Sequence, residues 1–146
     1  MERMAPLSLI PETIVEERSD WAIAVNRNQN LLGKCILVLR RPCTAVLDLQ
    51  PDEWASLHSE LRRLVLALTR LFQPDQFNFA FLMNRDPQVH LHVVPRYCAP
   101  RSWAGWQFND PHWGSAFGDE QQVLAGGELR HLASKIRDEL EVDPDP

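Results

Sequence analysis

From Asp86 to Tyr97 the chain reads Asp-Pro-Gln-Val-His-Leu-His-Val-Val-Pro-Arg-Tyr, and this stretch limits the fold more than any other. Polar and apolar side chains alternate from Gln88 to Val93, the period of a half-buried strand. Successive side chains of a strand point to opposite faces, so Gln88, His90 and His92 share one face and Val89, Leu91 and Val93 the other. At strand rise, His90 and His92 stand roughly 6–7 Å apart, close enough to reach one bound group. Pro87 and Pro95 frame the run, since proline cannot donate to a ladder. On pattern alone, an ordinary wet sheet face explains the two histidines as well as chemistry does. Imidazole is nevertheless the side chain best suited to acid, base or nucleophile work near neutral pH.

A chain of 146 residues, 45% apolar, is expected to fold as one domain with its own core. A net charge of −5 provides no basic footprint for nucleic acid, although a local anion site is compatible with it. Residues 1–10 lack a charged-then-apolar leader pattern, and no apolar run approaches the ~18 residues of a membrane span. A cytoplasmic location is the expectation. Cys35, Cys43 and Cys98 are odd in number and lack CxxC spacing, which suggests neither a disulfide framework nor a zinc knuckle.

In chain order, Pro11 and Glu12 suit the first turn of a short helix over 11–18. Strands are expected over 21–25 and 35–39, joined by the polar run 26–30 and entered through Gly33 as an antiparallel hairpin. Pro51, Asp52 and Glu53 open the clearest helix. Leu57, Leu61, Leu64, Val65, Leu68, Leu71 and Phe72 form its apolar stripe, and it should end near Phe72, before Pro74. A strand over 77–83 and a short turn lead into the histidine strand. Beyond Tyr97 periodicity is lost and Trp103, Trp106 and Trp113 are expected to pack at a core or edge. His58 is expected at the surface of its helix and His112 to be structural. A helix over 128–140 closes the chain after the breaker Gly126-Gly127, with 143–146 frayed.

The sequence Gln88-Val89-His90-Leu91-His92-Val93-Val94-Pro95-Arg96 closely resembles the motif of the histidine triad (HIT) superfamily, His-φ-His-φ-His-φ-φ. Ala24-Val25-Asn26-Arg27, Gly33-Lys34-Cys35-Ile36-Leu37-Val38 and Asp48-Leu49-Gln50-Pro51-Asp52-Glu53 resemble its fragile-histidine-triad branch in order and spacing. The likeness covers about residues 20–97. It implies an α+β fold, an antiparallel sheet flanked by helices, over a single domain 1–146 with 98–146 a less regular C-terminal extension. It implies a homodimer and a nucleotide substrate, hydrolysed or transferred through a nucleotidyl-histidine. No cofactor of the protein's own is implied, only a divalent cation carried with the substrate phosphates.

By position, the resemblance makes His90 the nucleophile, His92 the α-phosphate contact and Asn26 the residue holding the sugar. Arg85 and Arg96 are candidate phosphate contacts, because guanidinium matches phosphate geometry. Asn84 is a candidate leaving-group donor, an ordinary turn asparagine being the alternative. Three positions depart from the family pattern. Gln88 stands for the first histidine, Lys34 follows the hairpin glycine where a histidine often stands, and Asn84-Arg85-Asp86-Pro87 replaces a glycine-rich segment. A bacterial-type branch shows a similar Pro-Gln-φ-His-φ-His pattern with tryptophans downstream. Gln88 can donate and accept, but it cannot change charge near pH 7. If it orients phosphate, Gln88→His should be tolerated; if it packs against a partner, the change should disturb folding. Lys34 is expected to be solvated. The competing expectation for the whole chain is a nucleotide-binding module that turns over weakly.

Overall fold

The computed structural model describes residues 9–142. The expected fraying at 143–146, and all but two of the residues read for a leader pattern, lie outside them. Five strands form one antiparallel sheet in the order β1-β2-β3-β5-β4. They are β1 (Ile14–Glu17), β2 (Trp21–Val25), β3 (Cys35–Leu39), β4 (Gln76–Ala80) and β5 (His90–Arg96). Helix α1 (Pro51–Phe72) connects β3 to β4, and α2 (Gly126–Leu140) closes the described chain. The architecture is the expected α+β one.

One face of the sheet carries Trp21, Ile23, Leu37, Leu39, Leu91 and Val93, all buried in a single core with Leu57, Leu64 and Leu68 of α1 and Leu129, Leu132 and Ile136 of α2. Removing apolar surface of this extent from water is the main stabilising term of such a domain. The opposite face carries the histidines. His92 lies across from Ile36 on β3 and Ala80 on β4, and His90 lies across from Val38. Strand β5 is therefore flanked on both sides where it bears His92.

Helix α1 starts and stops as its sequence demands. The Gln50 amide N–H donates to Glu53 Oε1 (2.8 Å), Pro51 stands at the first helical position, and Gln73 ends the helix in a left-handed conformation just before Pro74. Glu53 also receives Arg41 on both carboxylate oxygens (2.8 and 3.0 Å), which ties the exit of β3 to the start of α1.

Four local expectations change. The helix expected over 11–18 is a single 3-10 turn (Pro11–Thr13) followed by β1, because Ile14 and Val15 favour a strand and Ile14 pairs with Ala24 on β2. Strand β4 stops at Ala80 rather than continuing to residue 83, and Met83 has a positive φ of 43°. The histidine strand starts at His90 and runs through Pro95. Arg96 O accepts from Asp75 N on the β4 side, so the Pro95 nitrogen faces the side where β3 has already ended. The tail expected to be irregular before its closing helix holds a hairpin, β6 (Arg101–Trp103) and β7 (Trp106–Phe108), while α2 forms where the helix over 128–140 was expected, two residues earlier at its start. Ala104 and Gly105 both have positive φ, which suits a two-residue hairpin turn, and the Trp103 ring stacks on His131 of α2.

Gly33 lies in the left-handed region (φ 85°), and a Cβ there would meet Phe72 Cδ2 at 3.0 Å and Leu68 Cδ2 at 3.2 Å. Gly33→Ala should therefore lower stability by about 1–3 kcal/mol, read as a shift in the urea unfolding midpoint. An unchanged midpoint would show that the hairpin can take another path against α1.

Candidate active site

His90 is buried and His92 partly so, with ring centroids 4.9 Å apart and planes at 66°. The backbone bends at Gln88, just before β5 begins. That bend brings the Gln88 carbonyl to 2.7 Å from His90 Nδ1. A carbonyl can only accept, so Nδ1 carries a proton, and in the neutral ring the lone pair is on Nε2. Burial first, then the neighbouring His90 and Lys34, push the His92 imidazole down to about 4. His92 is thus neutral at physiological pH and can donate through one ring nitrogen only.

Both histidines line a cleft of about 490 Å3. The β2–β3 connection contributes Asn26, Asn28 and Lys34, the loop after β4 contributes residues 82–86, and a segment beyond β7 contributes Phe117, Gly118, Asp119 and Gln121. This last segment is stitched to the hairpin loop. Asn28 Nδ2 donates to Glu120 O (2.9 Å), Asn30 Nδ2 to Gly118 O (3.1 Å), and Gln122 N to Asn28 Oδ1 (2.8 Å). Asn26, Asn84 and Arg85 all line the cleft, and among the described residues Arg85 has no ion-pair partner.

Two expected site residues lie elsewhere. Arg96 is 3% exposed, and all five of its guanidinium N–H groups are engaged by Asp110 Oδ1 and Oδ2, Asn78 Oδ1, Ser115 O and His112 O at 2.6–3.1 Å. It has no donor left for phosphate; it holds the chain after β7 onto β4 and β5. Burial opposes the charge on Asp110, but Arg96 together with the backbone N–H groups of His112 and Tyr97 outweighs it and keeps the carboxyl below its ordinary range. The Gln88 side chain is also committed. Its Nε2 donates to Leu39 O and Arg41 O (both 2.8 Å), and its Oε1 accepts from Cys43 N (3.0 Å). It is 2% exposed and absent from the cleft lining, so it serves His90 through its backbone carbonyl and not through its amide.

Lys34, expected in solvent, is 7% exposed and faces the cleft. Its parity could have shown this. It precedes Ile36 by two residues, so it shares the face on which Ile36 meets His92. No periodic signal marks Phe117 to Gln121. Among the described residues no three His, Cys, Asp or Glu side chains are grouped to hold a metal ion, and no helix is long and apolar enough to cross a membrane.

A family model described as HIT domain matches residues 8–99. No curated protein matches the chain. Among solved structures, a histidine triad protein from Bradyrhizobium japonicum superposes with a TM-score of 0.68 at 25% identity, covering 92% of this chain and 98% of that one. A histidine triad protein from Marinobacter aquaeolei VT8 gives 0.68 at 24% identity, covering 88% of each. The diadenosine triphosphate hydrolase of Plasmodium falciparum, solved with Cyclomarin A, gives 0.67 at 14% identity, covering 89% of this chain and 77% of that one; at that identity the likeness speaks for the fold alone.

Replacing Gln88 should test its clamp. An imidazole at this position can donate once at most while neutral and cannot meet two carbonyls and an amide together. Gln88→His and Gln88→Leu should each cost about 2–4 kcal/mol by chemical denaturation, from buried groups left unpaired. A Gln88→His protein as stable as the parent would mean that the amide is not held as described.

Proposed function

The chain belongs to the HIT domain family, and from that premise we propose that it is a HIT-type nucleotide hydrolase or nucleotidyl transferase with His90 as its nucleophile. One observation carries the reading: His90 Nδ1 donates to the Gln88 carbonyl, so that the neutral ring carries its lone pair on Nε2, at the floor of the cleft. His90 Nε2 attacks the α-phosphorus of a nucleoside polyphosphate, such as a diadenosine polyphosphate, or of a nucleoside phosphoramidate. The bond from that phosphorus to the bridging oxygen or nitrogen breaks, and the leaving group departs with the electron pair and gains a proton from solvent. Water then attacks the phosphorus, which returns the electron pair to His90 and releases the nucleoside monophosphate. An acceptor other than water makes the same cycle a transfer.

His92 donates to a phosphoryl oxygen as charge develops there. Asn26 holds the sugar, while Asn84 and Arg85 face the departing group. A divalent cation, where one takes part, arrives on the substrate phosphates. The engaged Gln88 amide cannot change charge where the family motif has its first histidine, and this favours the second reading, a nucleotide-binding module with weak turnover. Incubation with diadenosine polyphosphates and adenosine phosphoramidates separates the two. The enzyme reading expects nucleotide release by the wild type, none by His90→Gly, and an acid-labile nucleotide adduct on His90 after rapid quench. Binding across the panel without release would leave the module.

The protein is further proposed to act in the cytoplasm as a homodimer. Strand β4 is an outer edge of the sheet, and Phe79 on it, with Leu82 and Trp54 nearby in sequence or on α1, exposes large apolar surface. Unpaired edges with exposed apolar side chains are ready-made pairing surfaces. Light scattering should give twice the 16.8 kDa chain mass, and Phe79→Glu should return the monomer. A wild-type mass of one chain at high micromolar concentration would refute the dimer.

A further inference from the structure

We propose that Lys34 contacts substrate in this site, its ammonium closing on a phosphoryl oxygen of the bound nucleotide. The inference rests on the nucleotide reading above and adds to it the group that binds the phosphate charge. Ile36 lies directly across from His92, so Lys34 is the diagonal neighbour of that histidine, roughly 7–8 Å away and within reach of a long side chain. Asn26 N donates to Lys34 O at 2.8 Å, which places Lys34 on the path from Asn26 to the histidines. The side chain is almost wholly buried, yet it lines the cleft.

The ammonium has three N–H donors, and among the described residues one partner engages it, Asn30 Oδ1 at 2.6 Å. Among the described residues no carboxylate closes an ion pair with it. Asp119 and Glu120 act on it only through space, from the segment beyond β7. His92 and His90 face it from β5, while Arg85 and Asp86 stand in the loop after β4 that lines the same cleft. Burial pushes Lys34 down to about 8 against the pull of Asp119 and Glu120, so desolvation prevails over attraction. A buried ammonium with free donors opposes folding. A phosphoryl oxygen supplies the missing acceptor and the opposing charge together.

The pH dependence follows from the sign of that shift. Lys34 is charged below about pH 8 and loses its charge above it, whereas a nucleoside monophosphate stays dianionic from pH 7 upwards. Binding of adenosine monophosphate should therefore weaken between pH 7 and 9.5, while binding of adenosine should not. In the unfolded chain lysine keeps its proton to about 10.4, so the cost of burying the charge is present below pH 8 and fades as pH rises from there. Lys34→Met should accordingly melt no lower than the wild type at pH 7.

Calorimetric titration of the full chain with adenosine monophosphate and adenosine, at pH 7 and 9.5, tests the assignment. At pH 7, Lys34→Met should lose about tenfold or more in monophosphate affinity, the scale of one charge-assisted contact, with adenosine affinity unchanged. Lys34→Arg should retain the monophosphate affinity at pH 7 and keep it at 9.5. The His92 imidazole, followed by NMR, should titrate at a higher pH in Lys34→Met. Monophosphate binding as tight in Lys34→Met as in the wild type would overturn the assignment and leave the nucleotide reading standing. So would equal losses for both ligands, or wild-type monophosphate binding that does not change with pH. A wild type that binds neither ligand would overturn the nucleotide reading itself, and Lys34's role with it.

Discussion

The Gln88 side chain reaches back 45 or more residues to close on the backbone of Leu39, Arg41 and Cys43, and the placement of the site depends on that contact. An amide has the two donors and the acceptor that this stretch leaves open, and in a buried setting each unmet group would cost more than a surface bond gains. The backbone joins in, with Leu39 N donating to Val89 O and Val89 N to Cys43 O. Glu53 holds the same stretch from the other side through Arg41. The exit of β3 is thereby fixed to the entry of β5 and to the start of α1. The Gln88 carbonyl that selects the His90 tautomer is a by-product of this lacing.

A second network sets the wall across the cleft. Arg96 holds Asp110, His112 and Ser115 against the sheet, and the chain that follows runs on to Phe117 and Asp119 above the histidines. Within the cleft, burial governs the titrating groups. It lowers Lys34 although two carboxylates pull the other way, and it lowers His92 with help from the like charges of His90 and Lys34. The cleft thus keeps one lysine charge near neutral pH and one neutral histidine next to it.

Most of the sheet and α1 were legible because they follow simple periods. The alternation around His90 and His92, the apolar run 35–39 and the leucine stripe of α1 each admit few other structures. Histidine identity and spacing carried the floor of the site. Of the walls, Asn26, Asn84 and Arg85 were legible; other residues were not, for physical reasons that differ residue by residue. An arginine after a strand reads alike whether it meets phosphate or an aspartate 14 positions away, and Arg96 meets Asp110. A glutamine in a motif position reads as a site group, and here its amide faces the backbone of another strand. Lys34 reads as solvent-seeking because lysine usually is, although strand parity pointed it at His92. Residues 11–18 carried both a helix start and β-branched side chains, and pairing with β2 decided between them.

The histidine floor and the walls differ in how they are held. His92 lies in an interior strand with ladders on both sides, whereas the walls are connecting segments joined by a few side-chain bonds to backbone. Sequence change in the walls therefore leaves the imidazoles where they are. A lineage of such chains can exchange residues at 82–86 or 117–121 and reshape the cleft while His90 and His92 keep their places in the sheet. The fold separates the loops that shape the cleft from the strand that fixes the imidazoles, and the first are free to evolve faster than the second.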